Sequence, residues 1–359
     1  MKAFKYLLVY LLLIQLVLPY SLPFDVFFHH RMDYNLIKDD LEGIDVILDQ
    51  ISLQIKREQL QDYIVILGDS IAYSGPGKST QSIGFYMQQL ACEAYPDNPP
   101  RIYNLAMPAM QIGDVYTMLL KLDQHHISTD NIIVNISYSG FVKRQPGPPV
   151  VFWLQEDLKS LDKDSFEQVL DNLKANQYED ENDMQSVVHK AIWDSVEMYR
   201  YSPFLKKAVK RAYRNLRGKG PVDDAIGDAR PWYKKEGLEE ILRQDEYKDS
   251  FSSQVFDMSS NNPQIYFLQK IIFHQKNKHT LVFLAGANET LMDDEIQSPG
   301  YTKNLKEIDE FFAQQPVDYL NTQGQIPSGH FSDHVHLTAA GYQELAWVLW
   351  DNFMRGAKP

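Results

Sequence analysis

The chain has 359 residues, of which 44% are hydrophobic and 23% charged, so it can bury a large core and global disorder is excluded. At this length, one large domain with an insertion or two domains are expected. A net charge of −13 gives no support to binding of nucleic acid, and the single cysteine, Cys92, excludes an intramolecular disulfide. The helical pattern around Cys92 predicts a buried, unreactive thiol.

The N-terminus combines basic residues with a long apolar run. Lys2 and Lys5 precede an apolar segment from Tyr6 to about Phe24, a pattern typical of export. Its length is near the lower limit for spanning a bilayer, and no Ala-x-Ala cleavage site follows it. We therefore predict a signal peptide or N-terminal membrane anchor over residues 1–28, with the anchor favoured. The remainder is expected to be exported, to the periplasm or another extracytoplasmic space.

Short apolar segments alternate with helical patterns along the rest of the chain. Strands are predicted at Tyr63–Leu67, Arg101–Leu105, Asn131–Ile136, Thr280–Ala285 and Val317–Leu320. Helices are predicted at 80–94, 114–124 and 338–354, and an apolar helical face at 36–51 precedes the first strand. Short unbroken apolar runs are typical of strands that are buried on both faces. The alternation therefore predicts an α/β fold with a parallel sheet covered by helices on both sides.

The segment between the third and fourth predicted strands breaks this alternation. It opens with Pro146-Gly147-Pro148-Pro149 and continues with charged helical patterns at 164–176 and 182–199. A basic cluster from Lys206 to Arg211 is typical of a solvated helix face, with a lipid or partner contact as the alternative. The predicted organisation is a first α/β part (29–145), a helical insertion (146–265) and a second α/β part (266–359).

Gly68-Asp69-Ser70 directly follows the first predicted strand. Ligands of open α/β sheets bind beyond the carboxyl ends of the strands, and glycine permits a tight turn there. Ser70 would then face the N-terminus of the next helix, whose free N–H groups suit a developing negative charge. A serine hydroxyl needs a base before it can act as a nucleophile, and a serine at this position is also typical of a helix cap.

A candidate base lies in Ser332-Asp333-His334-Val335-His336, directly before the last predicted helix. The spacing of Asp333 and His336 lets one turn present both side chains. The carboxylate can then orient the imidazole while the other ring nitrogen takes the serine proton. His334 is the alternative base. The alternation of His330, His334 and His336 also leaves a metal site open as an alternative, although no metal or cofactor is expected.

The two motifs together resemble the SGNH (GDSL-like) hydrolases, whose first sequence block carries Gly-Asp-Ser and whose last carries Asp-x-x-His. Leu337–Tyr342 is also similar to the family's usual start of the last helix. The resemblance implies a three-layer, flavodoxin-like sandwich with Ser70 as nucleophile, His336 as base and Asp333 as the orienting acid. It covers about 63–140 and 280–350 and does not include the insertion.

The resemblance also implies an oxyanion hole, for which Ser70, Ala109 and Ser139 are the expected residues. Ala109 stands where the family has a glycine N–H donor, and Ser139 stands near the position of an asparagine. The Ala109 donor survives if φ is negative there, and the Ser139 hydroxyl can still donate. Loss of one oxyanion donor typically costs on the order of 10²–10³ in rate. The chain is thus expected to be a divergent hydrolase, or a slow one whose natural reaction is transfer.

We predict an exported serine esterase or deacetylase that acts on an acyl ester, such as an O-acetyl group on a carbohydrate. One alternative is an O-acyltransferase that modifies a cell-envelope glycan with the same triad and a membrane acyl exporter as partner. Another is a non-catalytic glycan-binding domain. Ala72–Ser79 is a relaxed match to a phosphate loop, but the strand before it ends several residues too early. Gly286–Glu289 follows the fourth strand and is interpreted as a crevice wall or a plain turn.

Overall fold

The computed structural model describes residues 2–143, 148–179, 196–219 and 224–356. These residues form a parallel sheet of β1 (Tyr63–Leu67), β2 (Arg101–Asn104), β3 (Asn131–Ser137), β4 (His279–Ala285) and β5 (Asp318–Asn321). The strand order β2-β1-β3-β4-β5 is the flavodoxin-like order. The predicted α/β fold with a parallel sheet is confirmed, and each predicted strand is present to within one or two residues at its ends.

Helices lie on both faces of this sheet. In chain order they are α1 (Lys2–Ser21), α2 (Tyr34–Ile37), α3 (Gly43–Glu58), α4 (Ser70–Tyr73), α5 (Ile83–Ala94), α6 (Ile112–Gln124), α7 (Gln155–Leu161), α8 (Lys163–Ala175), α9 (Glu197–Arg200), α10 (Ser202–Leu216), α11 (Leu238–Leu242), α12 (Asp245–Asp249), α13 (Pro263–His274), α14 (Asp293–Ile296), α15 (Pro299–Phe312) and α16 (Ala339–Gly356). Short 3₁₀ turns occur at Phe24–Val26, Ser79–Gln81, Tyr138–Gly140, Trp232–Lys234 and Ser328–His330.

The sheet is buried on both faces because successive side chains enter two different apolar layers. In β1, Val65 and Leu67 join the layer that contains α3, α6 and α13. Ile64 and Ile66 join the opposite layer, with α5 and α16. None of these four side chains is more than 3% exposed. Since burial of one aliphatic side chain contributes roughly 1.5–3 kcal/mol, the unbroken apolar runs of the sequence explain the three layers.

Helix α1 leaves large apolar side chains uncovered. Tyr6, Leu12, Leu16 and Tyr20 are 62–71% exposed. Among the residues described above, no helix combines the length and apolar character that a membrane span requires. The signal peptide or anchor expected over 1–28 stays a prediction.

The part of the predicted insertion (146–265) that the structure describes consists of helices, turns and irregular segments. Helix α8 matches the helix predicted at 164–176 to within one residue. Most of the helix predicted at 182–199 lies outside the described residues. The division of the chain into an insertion and two flanking parts stays a prediction.

The basic cluster of the insertion lies on α10 and contacts the N-terminal part of the chain. Lys207 pairs with Asp33 at 3.1 Å, and Arg211 pairs with Asp25 at 2.6 Å. These two cations therefore hold α10 against the segment that follows α1. Exposed ion pairs of this kind contribute little stability, on the order of 1 kcal/mol or less.

Cys92 is exposed, so the predicted buried position is wrong. Helix α5 buries Ile83, Met87 and Ala91, which recur at helical spacing along one face. Cys92 follows Ala91 and is therefore rotated by roughly 100° away from that face. The residues around Cys92 correctly predict a helix, but they do not show which face of that helix is exposed to solvent.

The carboxylate of Asp114 ties the chain at 152–154 to α6. Asp114 is fully buried and accepts hydrogen bonds from the backbone N–H groups of Gln111, Phe152, Trp153 and Leu154, at 2.8–2.9 Å. Burial raises the pKa of this carboxyl to about 6, against the opposing effect of the four hydrogen bonds. The first turn of α6 and the chain at 152–154 thus share one acceptor.

We expect Asp114→Asn to lower the free energy of unfolding by roughly 2 kcal/mol or more, because the new NH₂ group would face N–H donors and leave them unsatisfied. The measurement is urea unfolding at neutral pH. Asp164→Asn, an exposed substitution in the first turn of α8, is the matched control and is expected to change stability by less than about 1 kcal/mol. Equal effects of the two substitutions would contradict the role given to Asp114.

Candidate active site

A glycine turn at the end of β1 places Ser70 at the carboxyl edge of the sheet. Gly68 has a φ of +146°, and a Cβ there would lie 2.4 Å from the Cβ of Asn135 in β3. Only glycine fits this close approach. The side chain of Asp69 then caps α4 by accepting a hydrogen bond from the N–H of Ile71 at 2.8 Å. Ser70 is the first residue of α4, a short helix that was not predicted from the sequence, and Asp69 rather than Ser70 is its N-cap.

The structure brings Ser70, His336 and Asp333 together. Nε2 of His336 lies 2.8 Å from Oγ of Ser70, and Nδ1 of His336 lies 2.9 Å from Oδ2 of Asp333. The other oxygen of Asp333 accepts the backbone N–H groups of Val335 and His336 at 2.9 and 2.8 Å. The loop therefore orients the carboxylate, and the carboxylate orients the imidazole with Nε2 toward the serine hydroxyl. At these distances His336 can take the serine proton.

Charge pairing within the loop favours an ionised Asp333 beside a basic His336. Burial alone would raise the pKa of Asp333, but the charge of His336 and its hydrogen bond hold that pKa well below its usual range. Burial alone would lower the pKa of His336, yet the charge and hydrogen bond of Asp333 raise it above the ordinary histidine value. The charge of Asp69 raises the pKa of His336 further, and that of Lys235 lowers it. His336 is thus a stronger base than a free histidine.

Two of the predicted oxyanion residues have a backbone N–H group that is free to donate. The N–H groups of Ser70 and Ala109 make no hydrogen bond within the part of the chain that the structure describes, so both can donate to a ligand. The φ of Ala109 is +63°, so the negative value on which its donor was expected to depend is not found. Alanine here adopts a left-handed conformation that glycine adopts freely, at a cost of roughly 1–2 kcal/mol. Ser139 lies in the turn Tyr138–Gly140, directly after β3.

Asp69 and Ser137 form a brace beside the nucleophile that sequence reasoning missed. The hydroxyl of Ser137, the last residue of β3, donates a hydrogen bond to the carboxylate of Asp69. Removal from water raises the pKa of Asp69, more than the hydrogen bonds from Ser137 and Ile71 lower it. The brace joins the ends of β1 and β3 immediately before Ser70. Asp69 was visible in the sequence only as the middle residue of the serine motif.

Residues of the predicted insertion contact the loop that carries the triad histidine. The Nζ of Lys235 donates to Oγ of Ser332 at 2.8 Å. Trp232 donates its indole N–H to the carbonyl of Ser328 at 2.9 Å and its backbone N–H to the carbonyl of Phe331 at 3.1 Å. Neither residue belongs to a motif, so the sequence contained no signal for this contact.

Asn288, from the segment interpreted as a crevice wall or a turn, supports the same loop. It is fully buried, and its backbone N–H donates to the carbonyl of His334 at 2.8 Å. Its side chain donates to the carbonyl of Asp333 at 3.3 Å. Asn288 therefore acts as a support of the triad loop.

The other two candidate histidines do not meet Ser70. His330 bonds to Glu344 at 2.7 Å. His334 packs against the rings of Tyr247 and Phe251, and burial lowers its pKa to about 4. Within the described residues, no three ligating side chains converge in a way that could hold a metal ion. The structure therefore brings His336, and not His334, to the serine.

Comparisons with known proteins show similarity at the level of solved structures. No protein-family model matches the sequence, and a search of curated proteins finds no match. A member of the lipolytic protein G-D-S-L family from Veillonella parvula is 9% identical, with 82% of this chain and 98% of that chain covered and a TM-score of 0.34. A carbohydrate esterase family 2 enzyme from Corynascus thermopiles (Myceliophthora fergusii) is 11% identical, with 82% and 66% covered and a TM-score of 0.34.

An acetyl xylan esterase from the rumen bacterium Butyrivibrio proteoclasticus is 13% identical, with 83% of this chain and 65% of that chain covered and a TM-score of 0.29. At these identities and TM-scores the likenesses assign no activity to this chain.

We expect the reactivity of Ser70 to fall as the pH drops through a value above 6.5, since His336 must be neutral to take the serine proton and its pKa is raised. Lys235→Met removes a positive charge that lowers this pKa, so the acidic limb should move to higher pH. The measurement is the rate of Ser70 modification by a fluorophosphonate, followed by intact mass across the pH range.

Lys234→Met is the matched control for that charge, because Lys234 is the exposed neighbour of Lys235 in the same turn. It is expected to leave the acidic limb in place. If the acidic limb of the pH profile does not move in the Lys235 variant, or moves equally in both variants, then Lys235 does not set the pKa of His336.

Proposed function

We propose that this protein is a serine esterase that cleaves an acyl ester through an acyl-enzyme on Ser70. The observation that carries this proposal is the continuous hydrogen-bonded chain from Ser70 through His336 to Asp333, with steps of 2.8 and 2.9 Å. This chain lies at the carboxyl edge of a parallel sheet, which is where open α/β folds bind their ligands.

The reaction follows from the positions of these atoms. Oγ of Ser70 attacks the ester carbonyl while Nε2 of His336 takes its proton, and Asp333 stabilises the imidazolium that forms. The alcohol leaves with that proton and the acyl group stays on Ser70. Water, deprotonated by His336, then attacks the acyl-enzyme; the acyl–Oγ bond breaks, the carboxylic acid is released, and His336 returns the proton to Oγ of Ser70. The N–H groups of Ser70 and Ala109 are the donors that we propose for the developing oxyanion.

The substrate that we propose is a short acyl ester of a carbohydrate, such as an O-acetyl group, met outside the cytoplasm. The net charge of −13 disfavours polyanionic substrates, and a neutral sugar ester avoids that repulsion. The basic and apolar N-terminal segment over residues 1–28 supports export.

An O-acyltransferase is the second candidate, and the incomplete oxyanion site favours it. Ser139 stands where an asparagine donor is expected, and the turn Tyr138–Gly140 contains none. A slow reaction with water leaves time for a sugar hydroxyl to discharge the same acyl-enzyme. In that case a membrane acyl exporter would supply the acyl group and the N-terminal segment would hold the protein at the membrane.

We expect the full chain to release nitrophenol from p-nitrophenyl acetate and to gain the mass of one acetyl group transiently. Ser70→Ala should abolish both, by a factor on the order of 10³ or more in rate. Ser128→Ala, at an exposed serine away from the site, should change neither. A folded wild-type protein with neither adduct nor turnover would contradict the proposal and leave a glycan-binding domain as the better reading.

Added sugar acceptors separate the two catalytic candidates. A hydrolase should lose its acetyl adduct in water alone at a rate that sugars do not change. A transferase should hold the adduct in water and lose it faster when an acceptor is present, with the acetyl group recovered on the sugar. The measurement is intact mass against time with and without oligosaccharides.

A further inference from the structure

A cavity of about 760 Å³ lies between the carboxyl edge of the sheet and the predicted insertion. Gln111, Ser139 and Gly140 line it from the side of the sheet, and Asn172 of α8 and the chain at 252–264 line it from the other side. The described lining does not include the triad. However, Ser139 lies two residues after Ser137, the last residue of β3, and the hydroxyl of Ser137 donates to the carboxylate of Asp69, which precedes Ser70. The cavity therefore adjoins the edge of the sheet at which the nucleophile lies.

Carboxamides make up most of the polar lining of this cavity. They include Gln111, Asn172, Asn176, Gln254, Asn261 and Gln264. Each carboxamide offers two donors and an acceptor, which suits hydroxyl groups because these also donate and accept. The formal charges among the described lining residues are Lys143 and Asp257, one of each sign, so the lining does not select for an ion.

Gln264 is the lining residue that points most clearly to a ligand. It is 7% exposed, and its carboxamide makes no hydrogen bond within the described ranges of the chain. A Cβ added at Gly140 would meet its Nε2 at 2.8 Å, so the carboxamide is held against the turn that contains Ser139. Because Gln264 lines the cavity and its carboxamide has no protein partner there, its donors and acceptor are available to a ligand in the cavity.

We propose that this cavity binds a neutral, polyhydroxylated group of the carbohydrate class, with Gln264 as its central hydrogen-bonding residue. The inference rests on the proposed function, for which the cavity would hold the sugar of the ester or the sugar that accepts the acyl group. A purely apolar ligand would leave the carboxamide of Gln264 without a partner, and an ion would find no net opposite charge in the described lining. Residues of the predicted insertion would thus bind the sugar, while the residues at the carboxyl edge of the sheet would carry out the acyl transfer.

The test measures binding in the full chain carrying Ser70→Ala, so that no substrate is consumed. The probe is an array of neutral and anionic oligosaccharides, each with and without O-acetyl groups. We expect neutral members to bind, and Gln264→Leu in the same background to weaken their binding at least tenfold. Gln269→Leu makes the same change at an exposed position of the same helix and should bind as the parent does.

Folding is checked by the melting temperature and by near-ultraviolet circular dichroism. If Gln264→Leu does not fold, Gln264→Glu keeps the size of the side chain and removes its donors, and it should weaken binding at least tenfold as well. The inference would be overturned if the protein preferred anionic oligosaccharides or bound no neutral one. It would also be overturned if the folded Gln264 variants bound neutral oligosaccharides as tightly as the Ser70→Ala parent does.

The result is separable from that of the esterase proposal. If neutral oligosaccharides bind but Ser70 of the wild-type protein is never acylated, the cavity proposal is supported and the esterase proposal is contradicted. If Ser70 is acylated but no oligosaccharide binds, the esterase proposal is supported and the cavity proposal is contradicted.

Discussion

The close approach of β1 and β3 at Gly68 is the constraint on which the site depends. A side chain at Gly68 would overlap the Cβ of Asn135, so the two strands could not end side by side with any other residue there. Because they do, Asp69 reaches the hydroxyl of Ser137 and caps α4, and Ser70 begins that helix at the edge of the sheet. The position of the nucleophile thus follows from backbone contact between neighbouring strands.

The histidine side of the site depends on a loop that is held from several directions. The backbone N–H groups of Val335 and His336 bind one oxygen of Asp333, which leaves its other oxygen for the imidazole. Asn288 bonds to the loop from the end of β4, and Lys235 bonds to it from the insertion. A base held in this way needs little reorganisation when it accepts a proton.

The residues of the predicted insertion (146–265) have a structural and a proposed functional contribution. Asp114 fixes its first described segment to α6 through buried hydrogen bonds, and Trp232 fixes a later segment to the triad loop. The walls that it places opposite the edge of the sheet carry the carboxamides of the proposed sugar cavity. Chemistry and recognition would then be built from different parts of one chain.

The sequence by itself determined the strands, the α/β class and the two motifs, because these depend on residues that are close in the chain. Short apolar runs identify strands buried on both faces, and Gly68-Asp69-Ser70 and the Asp333–His336 spacing are local patterns. Only the tertiary structure decided that His336 rather than His334 meets Ser70, that Ala109 has a positive φ, and that Cys92 faces solvent. It also brought Lys235 and Asn288 to the triad loop, and Gln264 to the neighbouring cavity. Packing between distant segments sets the contacts at the site, whereas the exposure of Cys92 follows from the side of α5 that packs against the sheet.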